Sequence, residues 1–452
     1  MITVIEGGAV ATVDGAGTEY ADGHVVVDGG RIVAVGAGPA PVAGDGREVE
    51  RVDASGCLVT PGLINTHHHL YQWATRGYAT ESNLFGWLTT LYPVWEGIDA
   101  DLTRATTAAG LGWLALSGCT MSSDHHYVFP RGAGDLVEAQ VDAARSVGVR
   151  LHVCRGSMDL GVSAGGLPPD SLVETTDGAL AGTADAIERF HDPAAEAMIK
   201  VAVAPCSPFS VTTALMRESA ALARHAGVRL HTHLAETVDE EEFCREHHGC
   251  HPVEYAERLG WLGDDVWLAH GVHLDRAAVA RLGETGTGVA HCPSSNARLG
   301  AGTAPVRDLL DAGAPVGLGV DGPASQEAGR LGDELRQALY AARLRGGPAA
   351  LDARAALSLA TVGGARCLGR AAELGSLEVG KLADVAVWRL GGLGHAGIAD
   401  PVTALVFGVL PPLALLLVGG DAVVREGGLV TADERALGRD LARAAGRLRD
   451  RQ

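Results

Sequence analysis

The segment Leu63-Ile64-Asn65-Thr66-His67-His68-His69 ends a short apolar run with three consecutive histidines. Side chains two residues apart on a β-strand share a face, so His67 and His69 point the same way and His68 points away. Two imidazoles in this arrangement can chelate one metal ion. The segment therefore predicts a buried strand with a metal centre at its end.

Five apolar runs further along the chain have the length and composition of buried strands, and helix-like segments separate them. The runs are Val201–Ala204, Val228–His233, Val266–His270, Gly288–His291 and Val316–Asp321, and the helix-like segments include Ala214–His225 and Ala304–Ala312. This alternation predicts an α/β fold, a parallel (β/α)8 barrel over residues 57–370. Because such barrels carry their chemistry at the carboxyl ends of the strands, we expect the active site there.

Short strands dominate both ends of the chain. The runs are Ile2–Ile5, Ala9–Val13, His24–Asp28 and Arg31–Val35 near the N-terminus, and Leu382–Trp388, Leu413–Val418 and Asp421–Val424 near the C-terminus. Residues 1–56 and 371–430 are predicted to form one small β-sandwich that flanks the barrel. Residues 431–452 are predicted to form an exposed C-terminal helix.

The apolar stretch Val402–Gly419 is nearly long enough to span a membrane, but Pro411 and Pro412 divide it. Proline disrupts a helix interior, so we interpret the stretch as two short buried strands joined by a turn. The sequence therefore predicts no membrane association.

Composition narrows the classes of function. Lys+Arg 36 against Asp+Glu 55 gives a formal net charge of −19, which works against binding nucleic acid or anionic lipid. The eight cysteines include no C-x-x-C pair, and the first residues show no secretory signal. These features predict a cytoplasmic protein with reduced thiols, whose homo-oligomeric state stays open.

Further candidate ligands lie where later apolar runs end. His231 and His233 share a face of one run, His270 ends the next, and Asp321 ends the last. One histidine at a strand end is more often a satisfied polar group than a ligand. Several histidines and an aspartate at the ends of different strands favour a metal, and neutral imidazoles with one carboxylate suit a catalytic Zn²⁺, with Fe²⁺ as the alternative.

These motifs resemble the amidohydrolase superfamily over almost the whole chain. The blocks that carry the resemblance are Thr60–His69, His233–Glu236, Asp321 and Gly375–Asp384. The resemblance implies a distorted (β/α)8 barrel with metal ligands His67, His69, His233 and Asp321. It also implies that Glu236 shuttles protons and that His270 polarises the attacked centre. Asp321 would take the proton of a metal-bound water, giving the hydroxide that attacks the substrate.

The number of metals follows from the fourth strand. Binuclear members of the superfamily bridge two ions with a carboxylated lysine or a glutamate at the end of that strand. Here the strand begins at Lys200 and leads to Pro205 and Cys206, so no bridging ligand is evident. The sequence therefore predicts one divalent metal.

Other segments are similar to the group of heterocycle deaminases that includes the 8-oxoguanine and hydroxydechloroatrazine enzymes. They are Leu70–Gln72, Asn83–Leu88, Leu91–Trp95, Ser117–Thr120, Arg155–Met158, Ala204–Ser210 and His291–Asn296. This similarity implies hydrolytic deamination of a small heterocycle, 8-oxoguanine or a close purine analogue, with release of ammonia. A triazine or pterin aminohydrolase or chlorohydrolase is the alternative. The segment Asp321–Glu327 and the segment Gly271–His273 depart from the group's usual pattern, which leaves the exact substrate open.

Three side chains are candidates for binding such a substrate. Gln72 offers a donor and an acceptor to an amide-like ring edge, and Trp87 can cover an aromatic face. Cys206 lies where the substrate edge is expected. Trp87 can equally be a packing residue, and Cys206 can be a small buried residue.

Four other histidines have open roles: His125, His126, His231 and His273. His125 and His126 end another predicted strand and can line the pocket, but we do not assign them as ligands. Competing classes fit less well. A polynucleotide deaminase needs a P-C-x-x-C motif, and a serine hydrolase needs G-x-S-x-G at a strand–helix junction, and the sequence has neither motif in such a place. A non-catalytic metal-binding barrel is not expected to carry both Glu236 and Asp321.

Overall fold

The computed structural model of the protein describes residues 1–41 and 47–450. Seventeen β-strands lie in the described residues and are numbered in chain order. They are β1 Ile2–Ala11, β2 Glu19–Asp28, β3 Arg31–Ala37, β4 Val49–Asp53, β5 Cys57–Pro61, β6 Leu63–Asn65, β7 Cys119–His126, β8 Arg150–Ser157, β9 Ile199–Pro205, β10 Arg229–Leu234, β11 Val266–His270, β12 Gly288–His291, β13 Val316–Leu318, β14 Val385–Arg389, β15 Leu413–Val418, β16 Asp421–Arg425 and β17 Gly428–Leu429.

Fifteen α-helices connect these strands in the described part of the chain. They are α1 Leu84–Trp95, α2 Ala100–Ala115, α3 Leu136–Val147, α4 Thr176–Phe190, α5 Thr213–Ala226, α6 Val238–His248, α7 Pro252–Arg258, α8 Arg276–Thr285, α9 Pro293–Arg298, α10 Val306–Asp311, α11 Leu331–Gly346, α12 Ala353–Ser358, α13 Gly364–Cys367, α14 Pro401–Phe407 and α15 Glu434–Arg449. Two 3₁₀ turns, Leu70–Thr75 and Val162–Ala164, and one π-helical turn, Leu359–Gly363, complete the helical structure.

Strands β6 to β13 close a parallel barrel in chain order. This confirms the predicted (β/α)8 barrel, and every predicted run overlaps one barrel strand. Small and medium apolar side chains fill the interior, which also includes Trp267. Residues that follow α13, among them Leu368 and Leu374, belong to the same cluster and close the end at which the strands begin. The polar strand ends therefore meet at the opposite, open end.

The other nine strands form one mixed sheet from both chain ends. Strand β1 organises it, because it pairs with β2, β4 and β5. Register shifts on either side of Gly8 bend β1, so that its first half pairs with β4 and its second half with β5. The sheet has its own apolar core, which includes Ile5, Val25 and Val385. The domain boundaries predicted at residues 56 and 370 stay predictions.

A buried ion pair joins this sheet to the barrel. Nε of Arg150, at the start of β8, lies 3.0 Å from Oδ2 of Asp384, immediately before β14. Asp384 also accepts the backbone N–H of Gly419. Arg150 and Asp384 are both nearly inaccessible to solvent, so the ion pair lies inside the contact between the sheet and the barrel.

The structure corrects two predictions about the C-terminal part. The first half of Val402–Gly419 is not a strand, because Pro401 begins α14 and the Asp400 side chain accepts the N–H of Val402. Helix α15 is not wholly exposed, since it packs against α2 and buries Ala444 and Leu448. Residues 451 and 452 lie outside the described residues. None of the helices in the described ranges is long and apolar enough to cross a membrane.

Candidate active site

Donor atoms from three parts of the barrel converge at its open end. His67 and His69 follow β6, His233 lies near the end of β10, and Asp321 follows β13. Nε2 of His69 lies 3.1 Å from Nε2 of His233 and 3.3 Å from Oδ1 of Asp321. Nε2 of His67 lies 3.4 Å from the same carboxylate oxygen. The structure thus brings together all four predicted metal ligands.

The Nδ1 atoms of these histidines face hydrogen-bond acceptors. Nδ1 of His69 donates to the carbonyl oxygen of His125 at 2.6 Å, and Nδ1 of His233 donates to that of Cys206 at 2.8 Å. Nδ1 of His67 lies 2.9 Å from Nε2 of His231. Each ring therefore presents the lone pair of Nε2 to the shared centre, and Nε2 of His67 has no hydrogen-bond partner among the described residues.

The donor set fits a zinc ion. Two donors bound about 2.0–2.1 Å from zinc at tetrahedral angles lie roughly 3.3–3.4 Å apart. Three of the six separations between the four donors, 3.1, 3.3 and 3.4 Å, lie close to that edge length. Burial lowers the pKa of His67, His69 and His233, which keeps the imidazoles in the neutral form that binds metal.

The predicted proton-transfer pair lies beside these ligands. Oε2 of Glu236 lies 3.5 Å from Nε2 of His270, and both side chains are buried. Burial raises the pKa of Glu236 to about 7. Burial alone would lower the pKa of His270, but the carboxylates of Glu236 and Asp321 outweigh it and raise that pKa. A carboxyl group that titrates near neutral pH suits general acid–base catalysis.

Hydrogen bonds with neighbouring side chains fix the orientation of His270 and Asp321. Nδ1 of His270 donates to Oδ1 of Asn296 at 2.9 Å. Oγ of Ser295 donates to Oδ2 of Asp321 at 2.5 Å, and Oγ of Ser325 lies 3.3 Å from the same oxygen. Neither Ser295 nor Asn296 was predicted individually as a site residue, although both belong to the motif His291–Asn296.

Backbone strain is concentrated at the same strand ends. Ala235, His270 and Asp321 have φ angles of 55°, 75° and 69°, in the left-handed region that residues with a Cβ rarely adopt. Each such conformation costs on the order of 1–3 kcal/mol and persists only where surrounding contacts impose it. The strain marks this end of the barrel as functional.

A small cavity opens onto the ligands at this end of the barrel. Three of the four predicted ligands and the predicted catalytic side chains line it, together with a mainly apolar wall. The lining residues are His69, Gln72, Leu84, Trp87, Leu88, Tyr127, Cys206, Ser207, Phe209, His233, Glu236, His270, Leu299, Asp321 and Ser325. All three candidate substrate-binding residues therefore contact the same space.

Gln72 is buried, and neither its amide oxygen nor its amide nitrogen has a partner among the described residues. Gly322 makes room for it, because a Cβ at Gly322 would lie 1.8 Å from Oε1 of Gln72. Trp87 both packs and lines the cavity, since its ring contacts Trp95 and its indole N–H donates to the carbonyl oxygen of Ala324. Burial raises the pKa of Cys206 to about 12, so it presents a neutral thiol.

The histidines to which the sequence assigns no role lie at different positions in the structure. His125 lies in a group of possible metal ligands with His67, His69 and His233; its Nε2 donates to the carbonyl oxygen of Ala204, and its Nδ1 has no hydrogen-bond partner among the described residues. His126 and His273 bond the carbonyl oxygens of Val128 and Ala301. Neither His126 nor His273 lines the cavity. Tyr127, which sequence analysis missed, places its ring centroid 5.2 Å from that of His69.

A closed (β/α)8 barrel with three neutral imidazoles and a carboxylate at its strand ends defines a metal-dependent hydrolase. The chain belongs to the amidohydrolase family, whose sequence profile matches residues 58–423. It is an enzyme that hydrolyses C–N bonds of heterocyclic compounds.

Two relatives and one solved structure illustrate the similarity. The chain is 45% identical to the 8-oxoguanine deaminase of Pseudomonas aeruginosa, over 93% of each chain. It is 38% identical to the hydroxydechloroatrazine ethylaminohydrolase of Pseudomonas sp. (strain ADP), over 96% of this chain and 92% of that one. Atrazine chlorohydrolase from Arthrobacter aurescens TC1, complexed with zinc, superposes with a TM-score of 0.93 at 34% identity, covering 98% of this chain and 100% of that chain.

Proposed function

We propose that this enzyme is a zinc-dependent hydrolytic deaminase of a flat, aminated nitrogen heterocycle, with 8-oxoguanine or a close purine analogue as substrate. One observation carries the proposal: the unpaired amide of Gln72 and the carboxyl group of Glu236 face the same small cavity as the metal ligands. A ring held by one edge through Gln72 would expose another part to the metal and to Glu236.

We propose that His67, His69, His233 and Asp321 hold a single ion. Pro205 ends β9 and Cys206 follows it, so the fourth strand supplies no bridging carboxylate. Lys200 lies at the other end of β9, where its ammonium group donates to the carbonyl oxygens of Asp192 and Ala194. A zinc ion held by His67, His69, His233 and Asp321 would supply Lewis acidity for the activation of a water molecule.

The side chains around the ligands transfer protons and stabilise charge during the reaction. The Asp321 carboxylate, oriented by Ser295, accepts the proton of the attacking water. Glu236 in its protonated form donates its proton to a ring nitrogen, receives from Asp321 the proton of the attacking water, and donates that proton to the departing amine. The second proton of the water returns Glu236 to its protonated form when the ring carbonyl forms. His270, whose Nδ1–H is fixed by Asn296, uses its Nε2 to stabilise charge at the attacked carbon. The products are a ring carbonyl and ammonia.

Recognition of the ring would rest on a few polar groups in an apolar pocket. The Gln72 amide can donate to and accept from a lactam-like edge, and the Cys206 thiol can meet either kind of group weakly. Trp87, Leu84 and Leu88 would cover the ring faces. A wrong heterocycle would leave the buried amide unpaired, which costs binding free energy.

The relatives support this substrate class and keep the alternative open. The 45% identity to an 8-oxoguanine deaminase favours a purine. The 36% identity over 414 residues to an isoxanthopterin deaminase and the fold of the zinc-bound atrazine chlorohydrolase favour the pterin or triazine alternative. All three names describe enzymes of nitrogen heterocycles.

An ammonia-release screen tests the proposal. Zinc-loaded protein is incubated with 8-oxoguanine, guanine, isoguanine, cytosine, isoxanthopterin and hydroxylated aminotriazines, and ammonia and the ring product are measured. We expect kcat/KM for 8-oxoguanine to exceed that for guanine and for the triazines by at least about tenfold, which is ~1.4 kcal/mol of transition-state preference. A higher value for a triazine or isoxanthopterin would instead favour the alternative.

A further inference from the structure

The carboxylate of Glu240, on the first turn of α6, is fully buried next to the active site. It accepts the backbone N–H of Ala235 at 2.8 Å and that of Glu236 at 3.0 Å. These two N–H groups belong to the segment that follows β10 and carries the Glu236 side chain into the cavity. Glu240 is therefore bonded to the backbone of the candidate proton shuttle.

Helix capping alone does not explain this arrangement. Thr237 is the N-cap of α6, and its hydroxyl accepts the N–H of Glu240 at 3.4 Å. In an ordinary capping box the glutamate at this position would accept the N–H of the N-cap residue itself, here Thr237. The Glu240 carboxylate instead reaches one and two residues further back, to a segment outside the helix.

The peptide groups around Ala235 are held from both sides. The carbonyl oxygen of Ala235 accepts the N–H of Val272 at 2.8 Å and that of His273 at 2.9 Å, while its N–H donates to Glu240. Ala235 has a φ of 55°, which an alanine adopts only when its surroundings impose it. The four hydrogen bonds around Ala235 and Glu236 lock the segment between the end of β10 and the residues that follow His270.

We propose that Glu240 is a positioning residue that holds the backbone of Ala235 and Glu236, so that the Glu236 carboxyl group stays beside His270 for proton transfer. The catalytic part of this inference rests on the proposed function, because Glu236 matters there as the proton shuttle. Glu240 is not among the residues that line the cavity. Its effect on catalysis passes through Glu236.

Two variants distinguish a specific positioning role of Glu240 from a general effect of removing a negative charge from α6. Glu240→Gln removes the charge and replaces one acceptor oxygen by an NH₂ group, which cannot accept the second N–H. Glu241→Gln is the matched control, because Glu241 is the next residue and its partly exposed side chain pairs with Arg245 and His251. Glu240→Asp keeps the charge but is one methylene too short, and it replaces Glu240→Gln if that variant does not fold.

The first measurement is backbone hydrogen exchange of the zinc-loaded protein over residues 234–241, which needs no substrate. We expect the amides of Ala235 and Glu236 to exchange at least tenfold faster in Glu240→Gln than in the unmodified protein or in Glu241→Gln. Unchanged exchange would overturn the proposal, whatever the substrate is. Should the unmodified protein release no ammonia in the screen, the proposed function fails while this measurement still decides the positioning role.

The second measurement is a double-mutant cycle with Glu236→Gln, followed by ammonia release. Alone, Glu240→Gln should lower kcat at least tenfold with unchanged KM and zinc content. In the Glu236→Gln background, where the shuttle is already lost, it should lower kcat by less than twofold. The same tenfold loss in both backgrounds would overturn the proposal and make Glu240 a purely structural residue.

Discussion

Nδ1 of His67 lies 2.9 Å from Nε2 of His231, and both rings are buried. Nδ1 of His231 in turn lies 2.9 Å from the carbonyl oxygen of Trp267, which can only accept. His231 must therefore carry its proton on Nδ1 and accept at Nε2, so that His67 donates from Nδ1. This chain of hydrogen bonds fixes the tautomer that leaves Nε2 of His67 free to bind a metal.

Replacing His231 should weaken metal binding without removing a ligand. In His231→Leu the acceptor for His67 is lost, so we expect zinc affinity to fall by about 10–100-fold, the range found for outer partners of metal ligands. Titration against a competing chelator measures the change. The control is His152→Leu, because His152 is also buried and its ring contacts Trp267. Equal zinc affinities in the His231 variant and the unmodified protein would show that the hydrogen bond between His67 and His231 does not support metal binding.

Replacing Glu236 should separate metal binding from catalysis. Glu236→Gln keeps the shape of the side chain but cannot carry the proton, so kcat should fall by at least the ~10²–10⁴-fold that general acid–base catalysis supplies. Zinc content, measured by elemental analysis, should stay the same. A variant with near-native kcat would assign proton transfer to another residue.

Replacing Gln72 should reduce discrimination between heterocycles. Gln72→Leu removes the unpaired amide that faces the cavity, so kcat/KM for 8-oxoguanine should fall by about tenfold or more, while poor substrates lose less. Steady-state ammonia release with 8-oxoguanine and guanine measures both values. If both substrates lost the same factor, Gln72 would not contribute to specificity.

Glu334 should make stability depend on pH. Burial raises its pKa to about 7 from 4.5, although Ser294 and Gln326 donate hydrogen bonds to it. The folded protein thus keeps a proton that the unfolded chain has lost, and the stabilisation present below pH 4.5 disappears as pH rises through about 7. That shift corresponds to on the order of 3 kcal/mol. Urea unfolding of Glu334→Gln between pH 5 and 8 should show a smaller decline than the unmodified protein.

The control for that experiment is Asp333→Asn, whose partly exposed side chain pairs with Arg330. It should follow the unmodified protein at every pH. If the Glu334 variant also followed the unmodified protein, the buried carboxyl group would not be the origin of the pH dependence.

The barrel and the pairing of His67 with His69 were predictable because each depends on a local pattern, whereas the full set of four candidate ligands followed from the resemblance to the amidohydrolase superfamily. Alternation of strands and helices gives the barrel, and i, i+2 spacing places His67 and His69 on one face. Helix α14 was missed because its apolar composition was interpreted as a strand, although Asp400 and Pro401 are a helix start signal.

Residues that act through another residue were harder to predict. The contact between His67 and His231 joins residues 164 apart in sequence, and no local pattern specifies it. Ser295 contacts Asp321 only because the ends of β12 and β13 are neighbours in the barrel. Glu240 did have a local signal, the T-x-x-E pattern from Thr237, but that pattern predicts a helix cap and not a contact with Ala235 and Glu236.

Zinc titration of metal-free protein, with ammonia release from 8-oxoguanine as the readout, tests whether the enzyme is a single-zinc deaminase of this base. If the three imidazoles and Asp321 hold a single ion, as proposed, activity should rise in proportion to added zinc and stop at one equivalent per chain. Activity that rises until two equivalents are bound, or no ammonia release at any zinc concentration, would contradict a single-zinc deaminase of this base.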